Sequence, residues 1–455
     1  MNRRPVPVPG DILRGLVIDA VDDEGRGRAM VNAGDGGGFE LAVRGALPGD
    51  VVDATIERVF AARGLAQARR LGPLGPGAGP LHITRTCAHA GPCPACPLHG
   101  VDEGFVQGLK RSRVERALLD AGLPGELVAG TLHDTVYGGG IRQKVKLVIG
   151  AGAGDGLVFG HYVPHSHGLV EAAGCALADD DMQRAVHDLR ERMQAAGLGA
   201  TLLRAVILRR FVEGVAAVVV AAGPCPVPLS SLWPTDALLG LGWRVQSAAS
   251  SANAIVGGTV DDVDGVVGAI WGTPPGGGAP VVVDSFCQAD SVGADWLVNR
   301  ACAHVMDGDN DDDDDTVVLD LYAGAGAFAR GLLAHGARRV VAVESFPASV
   351  DALARLSPLV RAVGGRVEDV LDEALSQGPR AAVVDPPRKG LGPVARRLGT
   401  ATTLKRVALV SCDVDAGAND AKALVDTGFT VDAVIPVDLF RGSAEVEVLT
   451  LLSRR

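Results

Sequence analysis

Residues 316 to 329, TVVLDLYAGAGAFA, constrain this 455-residue chain more than any other stretch. The run of Val and Leu reads as a strand buried on both faces, which is the habit of a parallel sheet. It closes in a glycine turn at Gly324 and Gly326, and a helix, GAFARGLLAHG, opens behind it. Glycine lets the backbone approach a ligand closely, and a helix N-terminus favours polar or anionic groups. About twenty residues on, a second apolar strand, RRVVAVE, ends in Glu344, at the spacing where a carboxylate meets a ribose diol. The stretch therefore predicts a nucleoside cofactor at the carboxyl ends of parallel strands. Taken alone it leaves two alternatives: Gly324, Gly326 and Ala329 also satisfy a dinucleotide fingerprint, and a glycine turn can serve plain tight packing.

A chain of this length predicts two or three domains with ample core. No apolar run reaches the length of a membrane span, and MNRRPVPVPGDIL lacks the apolar segment of a secretion signal. A cytoplasmic protein with no membrane partner is the expectation. The net charge of -11 argues superficially against nucleic acid, but seven aspartates fall in DGDNDDDDD, residues 307 to 315, and without them about -4 remains. A like-charge block of this kind reads as a solvated, disordered loop.

Residues 1 to 72 carry short β-rich runs separated by Gly, Asp and Pro turns, which predicts a small five-stranded barrel. Either it is a stabilising β-module or an OB-like barrel that binds RNA. The phrase ALPGDVV, with EGRGRA upstream, resembles the TRAM domain appended to RNA-modifying enzymes. Cys87, Cys93 and Cys96 follow in a C-x5-C-x2-C spacing, with Cys175 the natural fourth ligand. A disulfide framework is foreign to a cytoplasmic chain. Four thiolates hold either zinc or an iron–sulfur cluster, and a triplet plus a distant single favours a 4Fe–4S cluster over the paired cysteines of structural zinc. The spacing of radical-generating enzymes is absent, so the cluster is expected to be structural.

The amphipathic segment 104–123 carries Lys110, Arg111, Arg113 and Arg116, either a solvated face or an RNA-backbone contact. From about 138 to 272 strands alternate with two helices, with Arg142, Lys144 and Lys146 on one strand face. GTPPGGGAP, residues 272 to 280, marks the start of the last domain.

In that domain Gln288 precedes the glycine turn. A third strand, AAVVDPPRKGL, ends in Asp385, Pro386, Pro387 and Arg388, and a fourth, RVALVSCDVD, ends in Cys412. A rigid Pro-Pro turn at a strand end projects its neighbours into the crevice, and enzymes that methylate planar bases commonly carry such an element. A terminal strand carries Glu445 and Glu447. A thiolate adding to C6 of uracil activates C5 for methylation, and a base must then remove the C5 proton. Cys412 and Glu447 are the candidates for nucleophile and base. Each, taken singly, is as readily a core cysteine or a solvated strand glutamate.

The ordered set DLYAGAG, VES, DPPRKGL, VSC and VEVLTLL, with Phe286 and Gln288 in F-x-Q and the cysteine triplet, resembles the RNA uracil-C5 methyltransferase family over the whole chain. The resemblance implies a Rossmann-like doubly wound α/β methyltransferase domain at 273–455, a TRAM-like OB barrel at 1–72 and an α+β central domain at 73–272 bearing the 4Fe–4S cluster. It implies S-adenosylmethionine as donor, contacted by Gln288, Tyr322, Glu344 and Asp385, with Cys412 attacking C6 and Glu447 as base. It further implies a monomer acting on RNA, of the 23S ribosomal type that carries a cluster rather than the transfer-RNA type. The chain departs from the family's pattern at Asp413 and Val414, where Asn and Pro are usual, at Glu445, where His is usual, at Arg366 in the third-motif loop, and at His99, the remnant of a Gln-His pair. A non-catalytic RNA-binding relative, or a nicotinamide oxidoreductase, are the rival readings. The Asp-Pro-Pro turn speaks against the second.

Overall fold

The computed structural model describes residues 7–454 apart from 33–37, 73–78, 80, 84–86, 90–92, 130–141, 153, 155, 164–167, 235, 247–263, 276–279, 284–286 and 308–315. Phe286, the aspartate run beyond Asp307 and, within the stretch of alternating strands and helices, residues 138–141 and 247–263 therefore lie outside the described residues. The chain divides into two compact units, Met1–Arg113 with Phe440–Glu445, and Val114–Leu439 with Val446–Arg455.

The first unit is built on a six-stranded sheet in the order Ile12–Val17, Val51–Phe60, Leu65–Arg70, Gly38–Arg44, Gly27–Asn32, Ala20–Val21. Five strands were expected; the extra one is a two-residue strand, Ala20–Val21. All pairings are antiparallel except Gly38–Arg44 with Leu65–Arg70. Alternate residues such as Leu41 and Val43, Ala54 and Ile56, Ala66 and Ala68 form the core, as a half-buried sheet requires. Fully buried Asp50 accepts the amides of Leu47 and Gly79 and faces His82 Nε2 at 2.8 Å. After the sheet the chain doubles back: His82 pairs with Val101, and the Ile83 amide donates to the Gly100 carbonyl at 2.9 Å.

The second unit holds two seven-stranded sheets. One is mostly antiparallel, in the order Gly265–Gly268, Gly240–Val245, Gly214–Ala221, Leu203–Phe211, Lys144–Ala151, Leu157–Tyr162, Leu169–Glu171. The helix Asp180–Ala195 buries Met182, Val186, Leu189 and Met193 against one face of it.

The other sheet runs Val360–Gly364, Arg339–Glu344, Val317–Leu321, Ala381–Val384, Arg406–Ser411, Glu447–Ser453, Thr430–Val437. Its first five strands are parallel; Glu447–Ser453 is antiparallel to both its neighbours. Val317, Leu319 and Leu321 pack with helices Val367–Leu375, Pro393–Thr400 and Val414–Val425. The alternate residues Val318, Val340, Ala342, Val383 and Ala408 are buried as well, which is why these strands read as continuous apolar runs. The strand order reverses at Val317–Leu321, with its first crossover to Arg339–Glu344 on one side and Ala381–Val384 on the other. That reversal is the switch point at which open α/β sheets open a crevice. No helix among the described residues is long and apolar enough to cross a membrane.

Candidate active site

The parallel register lines up the ends of five strands. Leu321 lies between Val343 and Val384, so Tyr322 follows beside Glu344 on one flank and Asp385 on the other. The backbone holds this edge together, since Ala323 donates to the Val343 carbonyl at 3.0 Å and Asp385 to the Leu321 carbonyl at 3.2 Å. Further along, Ser411 pairs with Val448, so Cys412 and Glu447 face one another where Arg406–Ser411 ends and Glu447–Ser453 begins.

The glycine turn is strained in the way a ligand-binding turn is. Gly324 and Gly326 take φ of 53° and 83°, and Tyr322 takes φ of 63°, the one non-glycine residue in the left-handed region among those described. A side chain at Gly326 would bring its Cβ to 2.8 Å from Leu353 Cδ2. Gly324 donates its amide to Glu344 Oε2 at 2.9 Å, and Glu344 Oε1 accepts the amides of Ser345 and Phe346. Three amides thus fix this carboxylate at the strand end. Tyr322 packs partly into the core, and its hydroxyl is buried with no hydrogen-bond partner among the described residues. Burial, with Glu368 and Asp420 nearby, pushes its phenol up to about 12.

Gln288 Nε2 donates to Asp385 Oδ2 at 3.4 Å. Burial pushes Asp385 up to about 7, and the Gln288 bond acts against it. Glu447 is 1% exposed, and its Oε1 has no hydrogen-bond partner among the described residues. Burial and then the charge of Asp385 raise Glu447 well above the usual carboxylate range, while Arg388 opposes them. Two buried carboxyls this close resist double ionisation, so they favour holding a proton between them. Burial pushes the Cys412 thiol up to about 11, Glu447 and Asp385 adding to the rise and Arg388 opposing it.

Asp413, the residue after Cys412, stands at the start of the helix Val414–Val425. Its carboxylate accepts the Ala416 amide at 3.0 Å and caps the helix Val414–Val425. Reading the sequence missed Asp320, and it named Arg388 without giving it a role. Asp320 is fully buried in the middle of the glycine-turn strand, and burial first, then Asp385 and Glu344, push it up to about 7, with the Ala329 amide and Arg330 acting the other way. Its signal was present: an aspartate inside LDL cannot be explained by packing.

The cysteine loop lies in the first unit. Cys87, Cys93 and Cys96 are half-buried, and no cysteine of the chain is joined in a disulfide. The Cys87 amide donates to His99 Nε2 at 3.2 Å, Cys93 to the His89 carbonyl at 3.0 Å, and Gly442 presses on Cys96, where a Cβ would come within 3.1 Å. The three share one loop, but their sulfurs are not all within 4.8 Å of one another. Cys175 is also half-buried and belongs to the second unit. Among the described residues the ligand atoms that do converge within 4.8 Å are those of His187, Asp188 and Glu191 on Asp180–Ala195, of which His187 and Glu191 are exposed and Asp188 half-buried.

No family model matches the sequence. An RNA methyltransferase of Clostridium tetani, uncharacterised, is 25% identical over 99% of this chain and 98% of its own length. The 23S rRNA (uracil(1939)-C(5))-methyltransferase RlmD of Halomonas elongata is 26% identical over 96% of this chain and 89% of its own. This chain is a relative of the RNA methyltransferases. The crystal structure of the Pyrococcus abyssi tRNA (uracil-54, C5)-methyltransferase, in complex with S-adenosyl-L-homocysteine, superposes with a TM-score of 0.69 at 19% identity, covering 97% of this chain and all of that one. The fold is therefore a methyltransferase fold, with a crevice at the switch point of its parallel sheet.

Proposed function

We propose that this protein transfers a methyl group from S-adenosylmethionine to C5 of a uridine in 23S ribosomal RNA, through a covalent bond between Cys412 and C6. The observation that carries the reading is the meeting of the Cys412 thiol with a buried Glu447 carboxyl beside Asp385; Glu447 Oε1 has no hydrogen-bond partner among the described residues. Bound S-adenosylmethionine supplies an electrophilic methyl group. Glu344 suits a ribose diol, and Gln288, Tyr322 and Asp385 line the same edge for the rest of the donor. The target base has to be unstacked to reach the crevice.

The Cys412 thiolate adds to C6, and the C5=C6 pair moves onto the O4 carbonyl as an enolate. C5 takes the methyl group with that electron pair, and the methyl–sulfur bond of the donor breaks with its pair left on sulfur, so that S-adenosylhomocysteine departs. Glu447 then removes the C5 proton, C5=C6 re-forms, and the Cys412–C6 bond breaks to return the thiolate. Asp385, beside Glu447, raises the affinity of that carboxylate for the C5 proton, and Glu447 acts as base from its ionised form. Arg388 offsets the negative field that would otherwise hold the proton on Cys412.

The three-part layout belongs to the same proposal: an OB-like TRAM barrel at 1–72 for RNA, a central domain at 73–272, and the methyltransferase domain from 273. So do a 4Fe–4S cluster on Cys87, Cys93, Cys96 and Cys175, a monomeric state and a cytoplasmic location. The fold likeness to a transfer-RNA enzyme supports a second reading, in which the same chemistry is done on tRNA.

Methyl transfer from labelled donor to total RNA of a strain lacking this gene tests the reading, using anaerobically purified protein. Label recovered as 5-methyluridine, lost with Cys412→Ala, supports reaction, base and nucleophile together. Fractionating 23S and transfer RNA separates the two substrates. Donor binding with no 5-methyluridine overturns the reading in favour of a non-catalytic RNA-binding relative.

A further inference from the structure

One buried carboxylate below the crevice has no part in the chemistry above. Asp420 sits two turns into the helix Val414–Val425 and is 4% exposed. Its Oδ2 accepts the Leu391 amide at 2.6 Å and its Oδ1 the Gly392 amide at 3.1 Å. Those amides end the turn that starts at Asp385. Gly390 closes that turn by donating to the Pro387 carbonyl at 2.8 Å, with φ of 71°. A Cβ at Gly390 would lie 2.6 Å from Asp420 Oδ2, so the turn and the carboxylate fit each other closely.

The other end of the contact is equally fixed. The helix bearing Asp420 is capped by Asp413 and seats Gly417 so close to Ser411 that a Cβ there would come 2.7 Å from the Ser411 side chain. It therefore moves with the strand end that presents Cys412. The helix Pro393–Thr400 has no side-chain cap of its own, and Asp420 supplies a negative group at its N-terminal turn. Two amide donors call for two acceptor oxygens. A carboxylate has them; an asparagine offers one oxygen and sets an NH2 against the other N–H. Tyr322 is also within the electrostatic reach of Asp420.

The geometry points to Asp420 as a positioning residue for methyl transfer: it clamps the turn carrying Asp385 and Arg388 to the helix that follows Cys412, and so sets the spacing between the donor side of the crevice and the thiol. This deepens the proposed function and rests on it for the reaction measured.

The test uses the full chain with Asp420→Asn. Circular dichroism and thermal unfolding establish the folded fraction; calorimetry with S-adenosylhomocysteine gives donor-site affinity; single-turnover methyl transfer gives the rate; and amide exchange over residues 385–393 reads the clamp. The expected result is a folded variant whose transfer rate falls about tenfold or more, whose Leu391 and Gly392 amides exchange about tenfold faster, and whose donor-site Kd moves by less than about threefold. A stabilising role alone would lower the melting temperature and leave the rate per folded molecule untouched, and that result overturns the proposal. If the Asn variant does not fold, Gly390→Ala strains the same contact from the turn side, and a wild-type rate there is equally decisive against it. If wild type transfers no methyl group, the proposed function falls separately; amide exchange in Asp420→Asn then decides the clamp, unchanged exchange ending it.

Discussion

The two seven-stranded sheets of the second unit are equally well packed and differ in what they do with buried charge. In the mostly antiparallel sheet, Arg210 donates to Asp179 and Asp181 at 2.7 and 2.6 Å, and its guanidinium and Asp181 are each shifted toward their charged forms. Fully buried Arg209 donates to the Val282 carbonyl and stacks 5.4 Å from the Phe211 ring. In the parallel sheet, Asp320, Asp385 and Glu447 are shifted toward their neutral forms by burial. Charge there is set against like charge, with Arg330 and Arg388 opposing it only in part. A protein tolerates that only where something other than stability keeps it. The difference supports the parallel sheet as the seat of the proposed chemistry, while in the other sheet burial lowers the pKa of Lys146 and of His161 as well.

The largest effect that follows is kinetic. Glu447→Gln keeps shape and burial but removes the proton acceptor, so turnover should fall by roughly 10²- to 10⁴-fold. Addition of Cys412 to C6 precedes the proton removal, so a covalent protein–RNA species should build up on denaturing gels. Equal loss of adduct and of product would move Glu447 out of the base role and blunt the contrast between the sheets.

Asp320 carries the contrast into stability. Its folded pKa of about 7 stands above the ordinary 3.8, so it is neutral in the folded chain where it would be ionised unfolded. Its contribution is fully favourable below about pH 4 and is lost as the pH rises toward 7, a change on the order of 4 kcal/mol at 1.36 kcal/mol per unit. Asp320→Asn has no such loss. The melting temperature of wild type should therefore fall relative to the variant between pH 4 and 7 and run parallel to it above that. Parallel curves throughout would mean that Asp320 is compensated, as the arginines of the other sheet are.

Much of the parallel sheet could be read from its residues. Continuous Val and Leu runs, a glycine turn and Glu344 at its strand end are local signals, and both glycines take the positive φ that only glycine adopts freely. The proximity of Cys412 to Glu447 could not be read from spacing, because an antiparallel strand inserted between Arg406–Ser411 and Thr430–Val437 brings together residues 35 positions apart in the chain. The fates of Asp413 and Asp420 were likewise hidden. Both are polar residues in one helical segment, and only the fold turns one into its own helix's cap and the other toward a distant turn. The small strand Ala20–Val21 escaped because two residues carry no periodicity.

The smallest effect probes the antiparallel sheet. Arg210 joins a strand of that sheet to the first turn of the helix Asp180–Ala195, and its side chain is about a quarter exposed. Removing it leaves Asp179 still capping that helix through the Met182 amide, so the helix start survives. Arg210→Ala should then cost about 1–2 kcal/mol in denaturant unfolding, near the worth of a charge-assisted hydrogen bond discounted for solvent around Asp181. Turnover per folded molecule should not change. A fall in turnover with stability intact would mean that this sheet also positions the reacting groups. The link for that exists, because the Arg210 amide donates to the Gln143 carbonyl and the Gln143 amide to the Ala289 carbonyl, one residue past Gln288. An unchanged rate would confine the chemistry to the sheet whose buried charges are compensated only in part.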